Sequence, residues 1–95
     1  MKDLPLKLRP YKRTPEFTEL SVPQALLRSH STKSGTWGKI VVLKGHLTYR
    51  ILEPDIEEMQ LDSTRPGVIE PAICHEIEPC GEVTFYVQFY SQPIA

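Results

Sequence analysis

Two histidines, His30 and His75, are the residues of this chain best suited to chemistry. Residues 67–78 begin with turn formers, place Pro71 four positions before His75 and then return to strand-like sequence. A histidine held in this way in a β-rich domain can face the interior and meet a histidine from another strand. We expect His30 to be that partner.

Short strands separated by turns are the elements predicted to position these histidines. Nine prolines and five glycines among 95 residues argue against long helices. The clearest feature is a predicted hairpin of residues 39–43 and 46–52 around a turn at Lys44 and Gly45. Further strands are predicted at 57–61, 68–69 and 82–90, with another turn at 79–81.

The segment 23–30 is more ambiguous, because Gln24-Ala25-Leu26-Leu27-Arg28 would favour a helical turn in isolation. It is too short to form an independent helix, so we predict a strand that ends at His30. With an edge strand near Tyr11, the total is seven or eight strands. This pattern predicts an all-β domain of the sandwich or small-barrel type.

Alternation along two of these strands predicts the core. Trp37 is predicted to anchor the core, and His46 to lie on the surface. One face of the predicted strand 46–52 carries Leu47, Tyr49 and Ile51. One face of the predicted strand 82–90 carries Val83, Phe85, Val87 and Phe89.

Charge is divided unevenly along the chain. Residues 1–52 carry ten of the eleven Lys and Arg against three acids, and residues 53–95 carry one against nine, which gives +7 and −8. The basic residues are scattered and have no aromatic stacking series, so we predict no nucleic-acid partner. The two halves are instead expected to pair within the fold or across a homodimer interface.

The cellular compartment is predicted from two signals that we do not find in the sequence, a membrane-spanning segment and a secretion signal. No apolar run reaches the roughly 18–20 residues that cross a bilayer, and no apolar stretch follows Lys2 as in a secretion signal. We therefore predict a cytoplasmic protein with no membrane partner. Cys74 and Cys80 are accordingly expected to be free thiols.

Three segments resemble the DUF1971 family of the cupin superfamily: residues 30–45 (HSTKSGTWGKIVVLKG), 70–78 (EPAICHEIE) and 83–90 (VTFYVQFY). This family includes the N-terminal domain of the tellurite-resistance protein TehB and small stand-alone YeaR-like proteins. The resemblance implies a single cupin domain over residues 1–95 with a core at about 11–91. The implied fold is a double-stranded β-helix, or jelly-roll barrel. The chain stops at Ala95 without a glycine-rich nucleotide loop, so we expect no methyltransferase domain.

The resemblance also implies a reduced metal site. The first cupin motif keeps only His30, with Gly38 where a Glu would fall, and the second motif keeps Pro71 and His75. Relatives usually have Trp where this chain has Cys74. The predicted metal ligands are His30, His75 and Glu78, although Glu78 would face away from His75 unless a bulge intervenes; Glu70 and Gln88 are alternatives to Glu78. Zn²⁺, Fe²⁺ or Ni²⁺ would suit two imidazoles.

Three functions are compatible with these residues. The first is a metal-binding cupin that holds a small oxyanion or organic ligand, related by resemblance to tellurite and similar stresses. The second is a non-catalytic ligand-binding or accessory module, and the third is a structural dimer with a vestigial site. The sequence assigns no reaction, because cupin folds serve many functions.

Overall fold

The computed structural model describes residues 1–92 as an antiparallel β-sheet of six strands, which confirms the all-β prediction. The strands are β1 (Arg9–Arg13), β2 (Phe17–Thr18), β3 (Thr36–Ile51), β4 (Glu57–Leu61), β5 (Gly67–Ile69) and β6 (His75–Ser91), with one 3₁₀ turn at Gln24–Leu27. Their order is β1-β6-β3-β4, while β2 also pairs with β6 and β5 with β3. The arrangement is that of a small β-sandwich or cupin-like fold.

Two long strands, β3 and β6, run antiparallel to each other and form the backbone of the fold. They pair from Thr36 with Ser91 to Ile51 with His75. The register shifts between Val42 and Lys44 and again between Gly45 and Leu47. Such bulges bend a strand without ending it, so each long strand continues on both sides of its bend.

This continuity corrects two predicted turns. The hairpin around Lys44 and Gly45 was wrong, because β3 continues through both residues. The turn at 79–81 was wrong for the same reason, since β6 continues through it. Both sequences contain a glycine with positive φ, +75° at Gly45 and +78° at Gly81. These glycines form bends in the paired strands, and the chain does not reverse there.

Alternating side chains of the long strands fill the core as predicted. Tyr49 and Phe85 are its largest fully buried residues, and Phe17 packs against Phe85 with ring centres 5.8 Å apart. Trp37 is only half-buried, and His46 is exposed as expected. The buried hydrophobic residues of the two long strands are Ile40, Val42, Leu47, Tyr49, Ile51, Ile77, Val83, Phe85 and Val87.

The predicted strand at 23–30 was also wrong. Pro23 has φ −61° and ψ 139° and caps a 3₁₀ turn over Gln24–Leu27, in which the Leu26 amide donates to the Pro23 carbonyl at 3.0 Å. The good helix formers of this segment therefore make one turn, and Leu26 packs against the core. Only His30, three residues later, makes a β-bridge.

Arg50 explains part of the uneven charge. It lies in β3 between Glu58 of β4 and Glu76 of β6 in the sheet register. Its guanidinium contacts both carboxylates and, at 3.4 Å, that of Glu78. Charges of the basic N-terminal half thus pair with acids of the C-terminal half on one outer face, as expected.

Within residues 1–92, no helix has the length and apolarity needed to span a bilayer.

Candidate functional site

His30 and His75 are joined through their backbones. The His30 amide donates to the His75 carbonyl at 2.7 Å, and the His75 amide donates to the His30 carbonyl at 2.8 Å. His75 begins β6 and is paired on its other side with Ile51 of β3. The structure thus brings together the two histidines that the sequence singled out.

The loop after His30 is fixed by Thr32. The Thr32 hydroxyl donates to the Thr36 carbonyl at 2.9 Å, and the Thr32 carbonyl accepts from the Ala72 amide at 3.1 Å. Ala72 itself has φ +60°, in the bend that follows Pro71. These contacts hold the two histidine-bearing segments against each other.

The imidazole rings meet edge to face. Their centres are 5.5 Å apart and their planes cross at 82°. Tyr49 also packs against His75, with ring centres 5.9 Å apart, and its hydroxyl donates to the Val68 carbonyl at 2.9 Å. That hydrogen bond fixes the buried Tyr49 ring beside His75.

One nitrogen of each imidazole is buried without a hydrogen-bond partner. These atoms are Nδ1 of His30 and Nε2 of His75. The other nitrogen of His75, Nδ1, lies 3.2 Å from the Ile73 carbonyl. In the neutral ring Nδ1–H donates to that carbonyl, which leaves the Nε2 lone pair free. Buried polar atoms are nearly always paired, so two unpartnered nitrogens in adjacent rings require an explanation.

A small cavity of about 30 Å³ adjoins the pair. A space of this size holds a water molecule or an ion but no larger ligand. Apart from the histidines, its walls are mostly apolar and are formed by Thr14, Leu26, Thr32, Ile69, Ile77, Val87 and Phe89.

Burial keeps His75 neutral. The side chain is 1% exposed, and loss of solvent lowers its pKa, a shift that the hydrogen bond to Ile73 opposes and nearby His30 reinforces. A lowered pKa favours the neutral imidazole, which is the form that binds metals and accepts hydrogen bonds.

The stability of the metal-free protein should therefore depend on pH through His75. The unfolded chain takes up a proton near pH 6.5, whereas the folded chain resists it. Stability from His75 is thus complete above about pH 6.5 and declines as the pH falls further. Urea unfolding at pH 7 and pH 5 should show a loss of at most about 2 kcal/mol from this group.

A His75→Leu variant provides the comparison for this prediction, because other titrating groups are unchanged. The variant should lose less stability than the wild type between pH 7 and pH 5. Equal losses would show that His75 titrates normally in the folded protein.

The structure does not bring the three candidate third ligands to the histidines. Glu78 is exposed on the outer face, 3.4 Å from Arg50, as expected for a side chain three residues from His75 in a regular strand. Glu70 contacts Lys2 at 3.4 Å, and the Gln88 amide donates to the Lys12 carbonyl at 2.8 Å. In the described chain, no three His, Cys, Asp or Glu side chains are grouped closely enough to hold a metal ion.

The imidazoles of His30 and His75 supply two of the ligands that a metal site needs. Two imidazoles bound to one Zn²⁺ place their ring centres roughly 5–6 Å apart, because Zn–N bonds are about 2.0–2.1 Å long. The observed separation is 5.5 Å, and each ring has a free buried nitrogen. The pair therefore suits a metal that keeps its other positions for water or a small ligand.

Tyr49 and Thr32 are the site residues that sequence reasoning missed. Tyr49 was assigned only to the core, although it also contacts His75. Thr32 was placed in a polar turn, although it is buried and links two loops. A polar residue two positions after a candidate ligand gave no signal by itself. Cys74, half-buried beside His75, is a free thiol, as is Cys80.

Comparison with known proteins identifies relatives of this chain. Residues 12–87 match the family model of the TehB-like domain. Among curated proteins, the chain is similar to the probable S-adenosyl-L-methionine-dependent methyltransferase TehB of two Haemophilus influenzae strains, at 35% and 33% identity. Each match covers 76% of this chain but 27% of the relative. The chain thus spans about a quarter of the length of these relatives.

Two solved structures are also similar. The crystal structure of TehB from Haemophilus influenzae matches with a TM-score of 0.83 and 32% identity, over 90% of this chain and 32% of that one. A crystal structure of a protein from E. coli (strain K12) matches with a TM-score of 0.89 over 99% and 100% of the two chains. At 18% identity this second likeness shows the fold alone. With a family model that covers most of its length, this chain belongs to the TehB-like domain family.

Proposed function

We propose that this protein is a small ligand-binding module whose centre is the His30–His75 pair, and that the pair holds a divalent metal ion. The supporting observation is that His30 Nδ1 and His75 Nε2 are both buried and unpartnered beside one cavity. Two such atoms in a folded interior incur a free-energy cost that a bound ion or water would remove. A stress-related role, as in tellurite resistance, follows from the family resemblance.

Each residue of the site has a distinct task under this proposal. His30 and His75 are the ligands, and the Ile73 carbonyl fixes the tautomer of His75 by accepting from Nδ1. Such a contact beyond the ligands orients a metal-bound imidazole. Tyr49 packs against the His75 ring, and the apolar walls of the cavity exclude bulk water. A bound Zn²⁺, Fe²⁺ or Ni²⁺ would supply Lewis acidity and open positions for a small oxyanion or organic acid.

Metal binding by untagged protein tests the proposal. Equilibrium dialysis with Zn²⁺ should give one ion per chain, and His30→Ala should reduce the affinity by at least about 100-fold, more than the loss of a contact beyond the ligands. His46→Ala is the matched control, because His46 is exposed and lies outside the cavity. The proposal fails if the wild type binds no stoichiometric metal, or if His30→Ala binds as well as His46→Ala.

A non-catalytic accessory module is the second candidate function. It is favoured by the two-ligand limit of the described residues. In this case the domain would support a methyltransferase, the activity in the printed name of its TehB relatives. Ligand-induced thermal stabilisation that persists after metal removal would favour this function.

The cytoplasmic location and the homodimer stay predictions.

A further inference from the structure

A cationic cleft lies directly outside the histidine pair. Its volume is about 240 Å³, and Lys12 and Lys33 are among the residues that line it. Lys12 belongs to the edge strand β1, and Lys33 to the loop that Thr32 fixes. The residues that line this cationic cleft are Tyr11, Lys12, His30, Thr32, Lys33, Thr36 and Phe89.

Three residues separate the cationic cleft from the inner cavity. His30, Thr32 and Phe89 line both spaces. A ligand in the cleft would therefore contact the same His30 whose Nδ1 is buried and unpartnered. Behind it lies His75, 99% buried and with Nε2 also unpartnered. The cleft and the inner cavity thus lie on either side of a wall that includes His30.

Among residues 1–92, the charged side chains that line the cleft have one sign. No Asp or Glu of this part of the chain lines it, and neither Lys12 nor Lys33 forms an ion pair there. Two other surface clefts of similar size differ in this respect. One combines Lys2 with Glu53, Asp55, Glu57 and Glu70, and the other combines Lys44 with Glu19 and Glu82.

The size of the cleft restricts what it can hold. Pockets for drug-sized molecules begin at roughly 300 Å³, and this cleft is smaller. An anion of a few heavy atoms would fit with some of its water, whereas a nucleotide would extend beyond the cleft. Ammonium groups bind such anions as point charges with several donors.

We propose that the cationic cleft is the anion subsite of this protein, in which Lys12 and Lys33 bind a small oxyanion or carboxylate against His30. This inference rests on the proposed function, because it assigns the ligand class of the same site. It names Lys12 and Lys33 as the residues that select the charge of the ligand. Neither the family resemblance nor the histidine pair identifies such residues. The ligand would bind beside any metal held by the histidines.

Anion titrations followed by NMR test the subsite. Sulfate represents inorganic oxyanions and acetate represents organic acids, each titrated into metal-free protein at constant ionic strength. Amide resonances of His30 and Lys33 should shift for at least one anion. The double variant Lys12→Gln/Lys33→Gln should bind that anion about tenfold more weakly, since each charge contributes on the order of a fewfold near a solvated surface.

The double variant Lys2→Gln/Lys44→Gln is the matched control. It removes the same number of positive charges from clefts that contain carboxylates, so the two variants have the same net charge. Thermal melting verifies that both variants are folded. Equal affinities for the two variants, or no shift at His30 and Lys33 with either anion, would overturn the proposal.

These outcomes are separable from those of the metal experiment. If Zn²⁺ binds but the Lys12→Gln/Lys33→Gln substitutions leave the anion affinity unchanged, the subsite fails and the metal centre stands. If metal-free protein binds the anion through these lysines but takes up no Zn²⁺, the subsite stands and the metal centre fails.

Discussion

Replacement of Gly45 by alanine is expected to destabilise the protein by about 3 kcal/mol or more. Gly45 adopts φ +75°, where side chains are strained, and a Cβ would lie 2.0 Å from the Glu82 carbonyl oxygen. That oxygen belongs to β6, so the clash can be relieved only if the two long strands separate at their bend. Urea unfolding of the variant measures the effect directly.

Gly81→Ala isolates the part of this effect that comes from the clash. Gly81 has nearly the same φ, +78°, but a Cβ there would have no atom within 4 Å. Its cost should be about 1 kcal/mol, the ordinary penalty for a left-handed residue. If the two variants lose equal stability, the close approach of β3 and β6 at Gly45 is not as described.

His75→Leu is expected to abolish metal binding without destabilising the metal-free protein. A buried nitrogen without a partner costs about 1–3 kcal/mol, and leucine removes Nε2 while it retains apolar volume in the core. The lost hydrogen bond from Nδ1 to the Ile73 carbonyl offsets part of this gain. We therefore expect stability within about 1 kcal/mol of the wild type, or above it.

The matched control for this substitution is His46→Leu, at an exposed position. It should keep wild-type zinc affinity, whereas His75→Leu should lose at least about 100-fold. A purely structural His75 would give a different pattern, in which His75→Leu lowers the melting temperature by many degrees. That result would favour the vestigial-site alternative.

The sequence predicted the parts of this fold that depend on alternation. Leu47, Tyr49 and Phe85 could be placed in the core because strand residues point alternately to the two faces. His75 could be placed inside from the turn formers and Pro71 that precede it, and His30 followed as the only plausible partner early in the chain.

The bends were not predictable in this way. Lys44-Gly45 and Cys80-Gly81 contain the residues of a turn, and glycine with positive φ serves equally in turns and in bulges. Only the pairing of β3 with β6 on both sides of the bend distinguishes the two. That pairing joins residues distant in sequence, such as Gly45 and Val83.

The direction of the Glu78 side chain was unpredictable for a related reason. Glu78 remained a candidate only if a bulge reversed its direction, and β6 instead keeps it regular from His75 to Glu78, opposite Ile51 to Thr48. Arg50 holds its carboxylate on the outer face. Likewise, the cationic cleft depends on β1 packing beside the 31–35 loop, and the spacing of Lys12 and Lys33 gives no indication of this.

The proposed metal centre depends most on two atoms, Nδ1 of His30 and Nε2 of His75. Imidazole ¹⁵N NMR of metal-free protein titrated with Zn²⁺ observes both directly. We predict that these two resonances shift together and saturate at one equivalent, while both nitrogens of His46 remain unchanged. Zinc-induced shifts at His46 alone, or no shift at His30 and His75 up to several equivalents, would contradict the assignment of this pair as the binding centre.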